Sequence, residues 1–251
     1  MRIRRKTWAR PELAACPYFV AQPQQQRGSW EAVFGEKRPL HLDLGCGKCV
    51  FLAEAAHTHR DVNFLGIDIS YDILGVGRRN IAQAYGEEQP DNVALCAYNI
   101  ERLGELFSPE EKVQRLYINF CNPWPTARGH KRRLTHTRQL LHYKPLLAPG
   151  GEIWFKTDND DLYLATRRYL TEAGFAIYFD TRDLHAAGTQ RTSLPSTSSG
   201  SPRRASPPKA LKGPAAPTLS ATQEALKKGK PSRETSKAFW LQLKNPLGRY
   251  W

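Results

Sequence analysis

From about residue 39 onward, short apolar runs closed by Gly, Pro, Asn or Asp alternate with segments whose apolar residues return every three or four positions. The runs predict strands near 39–44, 63–69, 92–97, 115–120 and 150–156. The intervening periodicity predicts helices near 49–58, 71–84, 101–106, 135–147 and 160–172, with a short helical turn at Ser108-Pro109-Glu110-Glu111. Alternating strands and helices specify an α/β fold, a doubly wound sheet with helices on both faces. The pattern fails at both ends. Residues 1–37 read as an irregular, basic, Gln-rich segment, and 188–236 hold seven prolines among Ser, Ala and Lys with hardly a large apolar residue. A segment of that composition buries too little apolar surface to offset the entropy of ordering, so disorder is expected there. The division is therefore a basic N-terminal segment (1–37), one folded domain (38–187), a low-complexity segment (188–236) and a C-terminal remnant (237–251).

Two strand ends carry candidate chemistry. Leu40-His41-Leu42-Asp43-Leu44 runs into Gly45-Cys46-Gly47 and then a helix, so glycines bring backbone close to a ligand at a positive helix N-terminus. The next strand, Asn63 to Ile69, brings a second acid, Asp68, about 20 to 25 residues on, where a Rossmann-like unit places its acceptor for ribose hydroxyls. The dinucleotide fingerprint asks for a third glycine or alanine where Val50 stands. A phosphate loop asks for Ser or Thr where Cys49 stands. An acid beside the turn suits a cationic, phosphate-free nucleoside such as S-adenosylmethionine, and a degenerate dinucleotide site is the alternative. At the second strand end, Leu116-Tyr117-Ile118-Asn119-Phe120 stops at Cys121-Asn122-Pro123-Trp124-Pro125, since proline continues neither helix nor central strand. Arg128, Lys131, Arg132 and Arg133 follow at once, either a solvated helix start or a phosphate-facing loop.

In this order, Asp43-Leu44-Gly45-Cys46-Gly47, Gly66-Ile67-Asp68-Ile69, Asn122-Pro123-Trp124-Pro125, Lys131-Arg132-Arg133-Leu134 and Phe155-Lys156-Thr157-Asp158-Asn159 resemble the motifs of the bacterial tRNA (guanine-N7-)-methyltransferase family over residues 38–185. The resemblance implies a Rossmann-like methyltransferase sheet with a further strand near 174–180. It also implies methyl transfer from S-adenosylmethionine to N7 of a guanine in the tRNA variable loop, usually position 46 of the tRNA. For the cofactor it implies Asp43, Gly45 and Gly47 at the methionine end, Asp68 and Ile69 at the ribose, and Asn99 with Ile100 around adenine, where the family has Asp-Ala. Asn122 occupies the place of a family aspartate expected to touch both cofactor and guanine, and Thr126 that of a substrate-binding lysine. Asp158 would accept from the N1/N2 edge of a turned-out guanine, or else cap the next helix. Arg128, Lys131, Arg132 and Arg133 would contact RNA phosphates, and Trp124 would stack on RNA or pin its loop. Asn122 and Asp158 are the catalytic candidates.

Composition narrows this. The chain of 251 residues has 37 Lys and Arg against 24 acids, a net charge of +13, which suits a polyanionic partner such as tRNA. Residues 186–233 hold nine of these basic residues and one acid, a net +8, leaving +5 for the rest; the basic run at 128–133 must concentrate that remainder. Five scattered cysteines offer one C-x-x-C, Cys46 and Cys49, whose spacing the glycine turn already explains, so no metal is expected. Met1 to Arg10 contains no apolar signal-peptide run, and no stretch is long and apolar enough to span a membrane. A cytoplasmic monomer or homodimer is the expectation.

The tail is the departure from the family. The Thr-x-x-Glu motif expected soon after Asp183-Leu184-His185 is missing, and Arg233-Glu234-Thr235-Ser236 is its nearest relic. A change of reading frame near residue 188, preferred here to a lineage-specific extension, predicts that a chain ending near His185 still folds. Three functional readings remain: an active methyltransferase, a catalytically weakened RNA-binding paralogue (from Asn122, Thr126 and the missing motif), and a Rossmann-type oxidoreductase.

Overall fold

The computed structural model describes residues 5–182 and 239–244. Its centre is one eight-stranded sheet in the order β1-β4-β3-β2-β5-β6-β8-β7, where β1 is Phe19–Val20, β2 Leu40–Leu44, β3 Asn63–Asp68, β4 Val93–Ala97, β5 Val113–Asn119, β6 Leu147–Thr157, β7 Ala176–Thr181 and β8 Phe239–Lys244. All neighbours are parallel except β8, which runs antiparallel to both β6 and β7. The α/β doubly wound expectation holds. Parallel strands buried on both faces have to be apolar nearly throughout, which is why β2 to β5 were legible as short apolar runs.

The helices are α1 Ala9–Ala14, α2 Trp30–Phe34, α3 Val50–Thr58, α4 Tyr71–Tyr85, α5 Thr137–Tyr143 and α6 Asp160–Glu172. Two core clusters lie on the two faces. Leu42, Leu44, Leu65, Ile67, Leu116, Ile118, Ile153 and Phe155 pack with α2, α5 and α6. Phe64, Leu95, Tyr117 and Trp154 pack with α1, α3 and α4. Because successive strand residues point to opposite faces, His41 and Asp43 share the second face with Tyr117. Gly66 admits α3 to that face: a Cβ there would stand 2.5 Å from Leu52 Cδ2 and 2.8 Å from Leu95 Cδ2.

Four expectations change. Residues 5–37 are not irregular: α1 docks on α4 through Glu12, which accepts from the Arg78 and Arg79 guanidinium groups. In the same segment β1 adds an edge strand to β4, and Trp30 is buried, stacked on Phe107 and donating its Nε1–H to Leu106 O at 2.7 Å. The helix expected at 135–147 is shorter, because Pro145 turns its end into a 3-10 turn, Lys144–Leu146, before β6. The segment expected at 101–106 is likewise a 3-10 helix, Ile100–Glu105.

The fourth change concerns the tail. Residues 239–244 form β8 between β6 and β7, with Leu241, Gln242 and Leu243 buried and the two leucines in the first core cluster. A frame-shifted remnant has no reason to present leucines in alternation at the register of Phe155 and Ile153, so the frame-shift reading does not hold for this stretch. Nor can a chain ending near His185 keep this sheet, since among the described residues β7 pairs only with β8. The disorder expected at 188–236 lies outside the described residues.

Candidate active site at the carboxyl edge of the sheet

The strand ends of β2, β3, β4, β5 and β6 open at one edge, where the order reverses between β3-β2 and β5-β6, the usual ligand position of such sheets. The turn after β2 is built by Gly45 (φ 79°) and Gly47 (φ 55°), in the left-handed region that favours glycine. Gly45 and Cys46 both donate their N–H to Ile67 O, at 2.8 and 3.1 Å, which ties the turn to β3. Asp68 completes the tie: Oδ2 accepts from Gly47 N–H at 3.1 Å and Oδ1 from Ser70 N–H at 2.9 Å. A carboxylate has about four acceptor positions, so Asp68 holds the turn and keeps capacity for further donors. Ile69 beside it is 70% exposed.

Asp43 is 2% exposed, and its Oδ1 has no hydrogen-bond partner among the described residues. Burial, followed by repulsion from Asp68, pushes its carboxyl up to about 7 from an ordinary 3.8. A buried acceptor without a donor is unstable unless a ligand answers it, and a cationic ligand answers it best. Cys46 and Cys49 stand with their sulfurs 3.6 Å apart, and burial raises the Cys46 thiol well above the usual range. Among the described residues no three His, Cys, Asp or Glu side chains gather to hold a metal.

At the end of β4, Asn99 Oδ1 accepts Glu101 N–H at 3.0 Å and caps the 3-10 helix, while the Ile100 side chain belongs to the core. Past β5 the chain turns sharply, with Phe120 (φ 49°) and Trp124 (φ 43°) in the left-handed region. Asn122 Oδ1 accepts Trp124 N–H at 3.0 Å, so this side chain shapes its own loop. The basic residues then sort unequally. Arg128 and Lys131 are exposed, Arg132 lays its guanidinium over the Trp124 ring at 4.1 Å, and Thr126 begins the 3-10 helix Ala127–Arg132 without a side-chain cap. Arg133 departs from the sequence expectation. It is 3% exposed and donates to Pro123 O at 2.7 Å and Trp124 O at 3.4 Å, so it braces the loop from within rather than facing phosphate. Trp124, between Arg132 and Gly129, pins the same loop.

The two loops approach each other. A Cβ on Gly45 would lie 3.7 Å from Leu134 Cδ1, so the end of the basic segment stands close beside the glycine turn. After β6, the capping residue of α6 is Asn159, whose Oδ1 accepts Leu162 N–H at 2.8 Å. Asp158 is exposed and does not cap. Sequence reasoning missed Asn119 and Lys156, residues inside quoted motifs whose proximity only the β5–β6 register reveals.

A family model described as "Putative methyltransferase" matches residues 37–198. A tRNA (guanine-N(7)-)-methyltransferase of Clostridium beijerinckii is 49% identical over 187 residues, 74% of this chain and 85% of the relative. One from Clostridium perfringens strain SM101 is 47% identical over 191 residues, 75% of this chain and 87% of the relative. Among solved structures, an antibiotic-related methyltransferase superposes with TM-score 0.52 at 14% identity, covering 86% of this chain and 92% of its own. The 16S rRNA methyltransferase KamB gives 0.51 at 13% identity with the same coverage. The two structures agree with the sheet, the family model spans both the glycine turn and the basic loop, and the relatives share nearly half of the aligned residues: this chain belongs to the tRNA (guanine-N(7)-)-methyltransferase family.

Proposed function

We propose that this protein transfers the methyl group of S-adenosylmethionine to N7 of a guanine in tRNA, at position 46 of the variable loop. The observation that carries this reading is the close approach of the end of the basic loop to the glycine turn, beside a buried Asp43 whose acceptor has no partner among the described residues. That acceptor fits a methionine ammonium, and the turn leaves its backbone open to close approach. When bound, S-adenosylmethionine supplies an electrophilic methyl on a sulfonium. Asp43, Gly45 and Gly47 hold its methionine end, Asp68 and Ile69 its ribose, and Asn99 with the Ile100 backbone its adenine. Guanine N7 has an in-plane lone pair and needs no deprotonation, so the side chains have to position rather than to abstract a proton. Positioning of this kind lowers barriers by about 7 to 11 kcal/mol.

Asn122 then stands at the junction of cofactor and base, Asp158 receives the N1/N2 edge of the guanine, and Thr126, Arg128, Lys131 and Arg132 face the tRNA backbone. Exposure of Asp158 and its absence from the α6 cap support its part. A tRNA substrate puts the protein in the cytoplasm; no described helix is long and apolar enough to cross a membrane. The weakened-paralogue reading keeps one support, the Asn122 amide, which lacks the family carboxylate's charge and spends its oxygen on Trp124 N–H. Incubation with unmodified tRNA and S-adenosylmethionine, followed by chain cleavage specific for N7-methylguanine, separates the two. Cleavage at one variable-loop guanine is expected. Tight tRNA binding without cleavage would leave the weakened paralogue.

A further inference from the structure

Asn119 ends β5 and pairs in register with Lys156 of β6. Neighbouring parallel strands lie about 4.8 Å apart, and residues in register point to the same face, so the two side chains stand together at the carboxyl edge. They share the face of Asp43, because Asp43 pairs with Tyr117, two residues before Asn119. Both residues offer donors, and neither donor finds an acceptor among the described residues. Asn119 Nδ2 is buried without a hydrogen-bond partner. Lys156 is half-buried, its ammonium is held below the usual lysine range by desolvation, and its described partner is the Phe120 ring, 5.2 Å from Nζ to the centroid. Phe120 N–H donates to Lys156 O at 2.8 Å, and Phe120 takes a positive φ to do so. A bulky residue keeps that conformation only where its surroundings enforce it, so the two strand ends are locked in place.

The site therefore has two walls of opposite character: Asp43 on β2 offers an acceptor, and Asn119 with Lys156, on β5 and β6, offers donors. A cationic cofactor belongs to the first wall. The second needs a ligand that presents an acceptor. The edge of guanine that carries N7 carries O6 beside it, and both are acceptors, whereas adenine shows an amino group, a donor, in place of O6. N7 must stay free for the methyl group, which leaves O6. We propose that Asn119, seconded by Lys156, donates to O6 of the target guanine and so selects guanine over adenine at the methylated position. This inference rests on the guanine-N7 reading above and goes beyond it by naming the residues that read the base.

The test is a cycle between enzyme and base, read as kcat/KM for methyl transfer. tRNA carrying guanine, hypoxanthine (O6 kept, 2-amino group removed) or 2-aminopurine (O6 removed) at the target position is presented to the unaltered protein, to Asn119→Asp and to Lys156→Met. The unaltered protein is expected to lose about 10- to 100-fold on 2-aminopurine, the range a specific base contact gives. Asn119→Asp should lose a similar factor on guanine and on hypoxanthine and little more on 2-aminopurine, and Lys156→Met should repeat the pattern with a smaller factor. Intrinsic differences in N7 reactivity cancel in the cycle. Calorimetric affinity for S-adenosylhomocysteine should stay within about twofold in both variants, because neither residue touches the cofactor. Losses that multiply fully across the cycle overturn the O6 contact. A fall in S-adenosylhomocysteine affinity that matches the fall in rate assigns the donors to the methionine carboxylate and overturns it too. If Asn119→Asp fails to fold, Lys156→Met decides by the same criteria. No transfer to guanine by the unaltered protein overturns the parent reading, and this inference with it.

Discussion

Replacing Asp43 by asparagine keeps the shape of a side chain that is 2% exposed and removes its ability to ionise. In the native protein the carboxyl titrates at about 7 instead of 3.8. Its native form therefore holds a proton more tightly than the unfolded chain does, and stability falls as pH rises from about 4 to about 7. At 1.36 kcal/mol per pH unit the accumulated penalty above pH 7 is about 4 kcal/mol. An amide in its place escapes the penalty. The ligand-free Asp43→Asn protein should match the unaltered one near pH 4 and exceed its unfolding free energy at pH 8 by up to about 4 kcal/mol, measured by urea denaturation at both pH values. His41, buried neutral on the same face, also makes stability pH-dependent, but it is present in both proteins and cancels in their difference. If Asp43 holds the methionine ammonium as proposed, the same change should strongly weaken S-adenosylhomocysteine binding by calorimetry, because that ammonium would lose its charged acceptor. Binding to the unaltered protein near pH 7 should release a fraction of a proton, visible as a buffer-dependent heat. Equal stability of the two proteins at pH 8, or a variant less stable there, would refute the argument that this acid is buried against its own charge.

Three further predictions concern the tail and the basic loop. A chain ending at residue 238 loses β8 and with it the burial of Leu241 and Leu243, each worth about 1.5 to 3 kcal/mol, and it leaves β7 unpaired; its urea midpoint should drop sharply or the cooperative transition disappear, and an unchanged midpoint would show that β8 is dispensable. Reversing Lys131 and Arg132 to Glu should weaken tRNA binding and flatten its salt dependence while S-adenosylhomocysteine affinity stays, whereas Arg133→Ala, which unbraces Pro123 and Trp124, should lower the thermal midpoint; an unaltered melting temperature in Arg133→Ala would return that side chain to the RNA-facing set.

The sequence alone was enough for the parts of this protein whose chemistry is local. β2 through β5 are short apolar runs ended by Gly, Asn or Asp, the glycine turn follows β2 directly, and Asp68 comes one strand later, so the chain order of the strands around the proposed cofactor edge was legible from spacing. The tertiary structure decided whatever depends on neighbours distant along the chain. The N-terminal elements are too short to show a period, and α1 and β1 exist because α4 and β4 offer them surfaces. β8 follows a long segment with no apolar pattern, and only pairing with β6 and β7 makes Phe239–Lys244 a strand. Within the basic run, Arg133 has the same composition signal as Arg128 and Lys131, and the 3-10 turn alone sends its guanidinium inward to two backbone carbonyls. Asn119 and Lys156 stand 37 positions apart in the chain and become one wall through the β5–β6 register. Pattern within a segment determines what the segment can be; which faces meet is set by pairing and packing across the sheet, and a single linear sequence does not display those pairings.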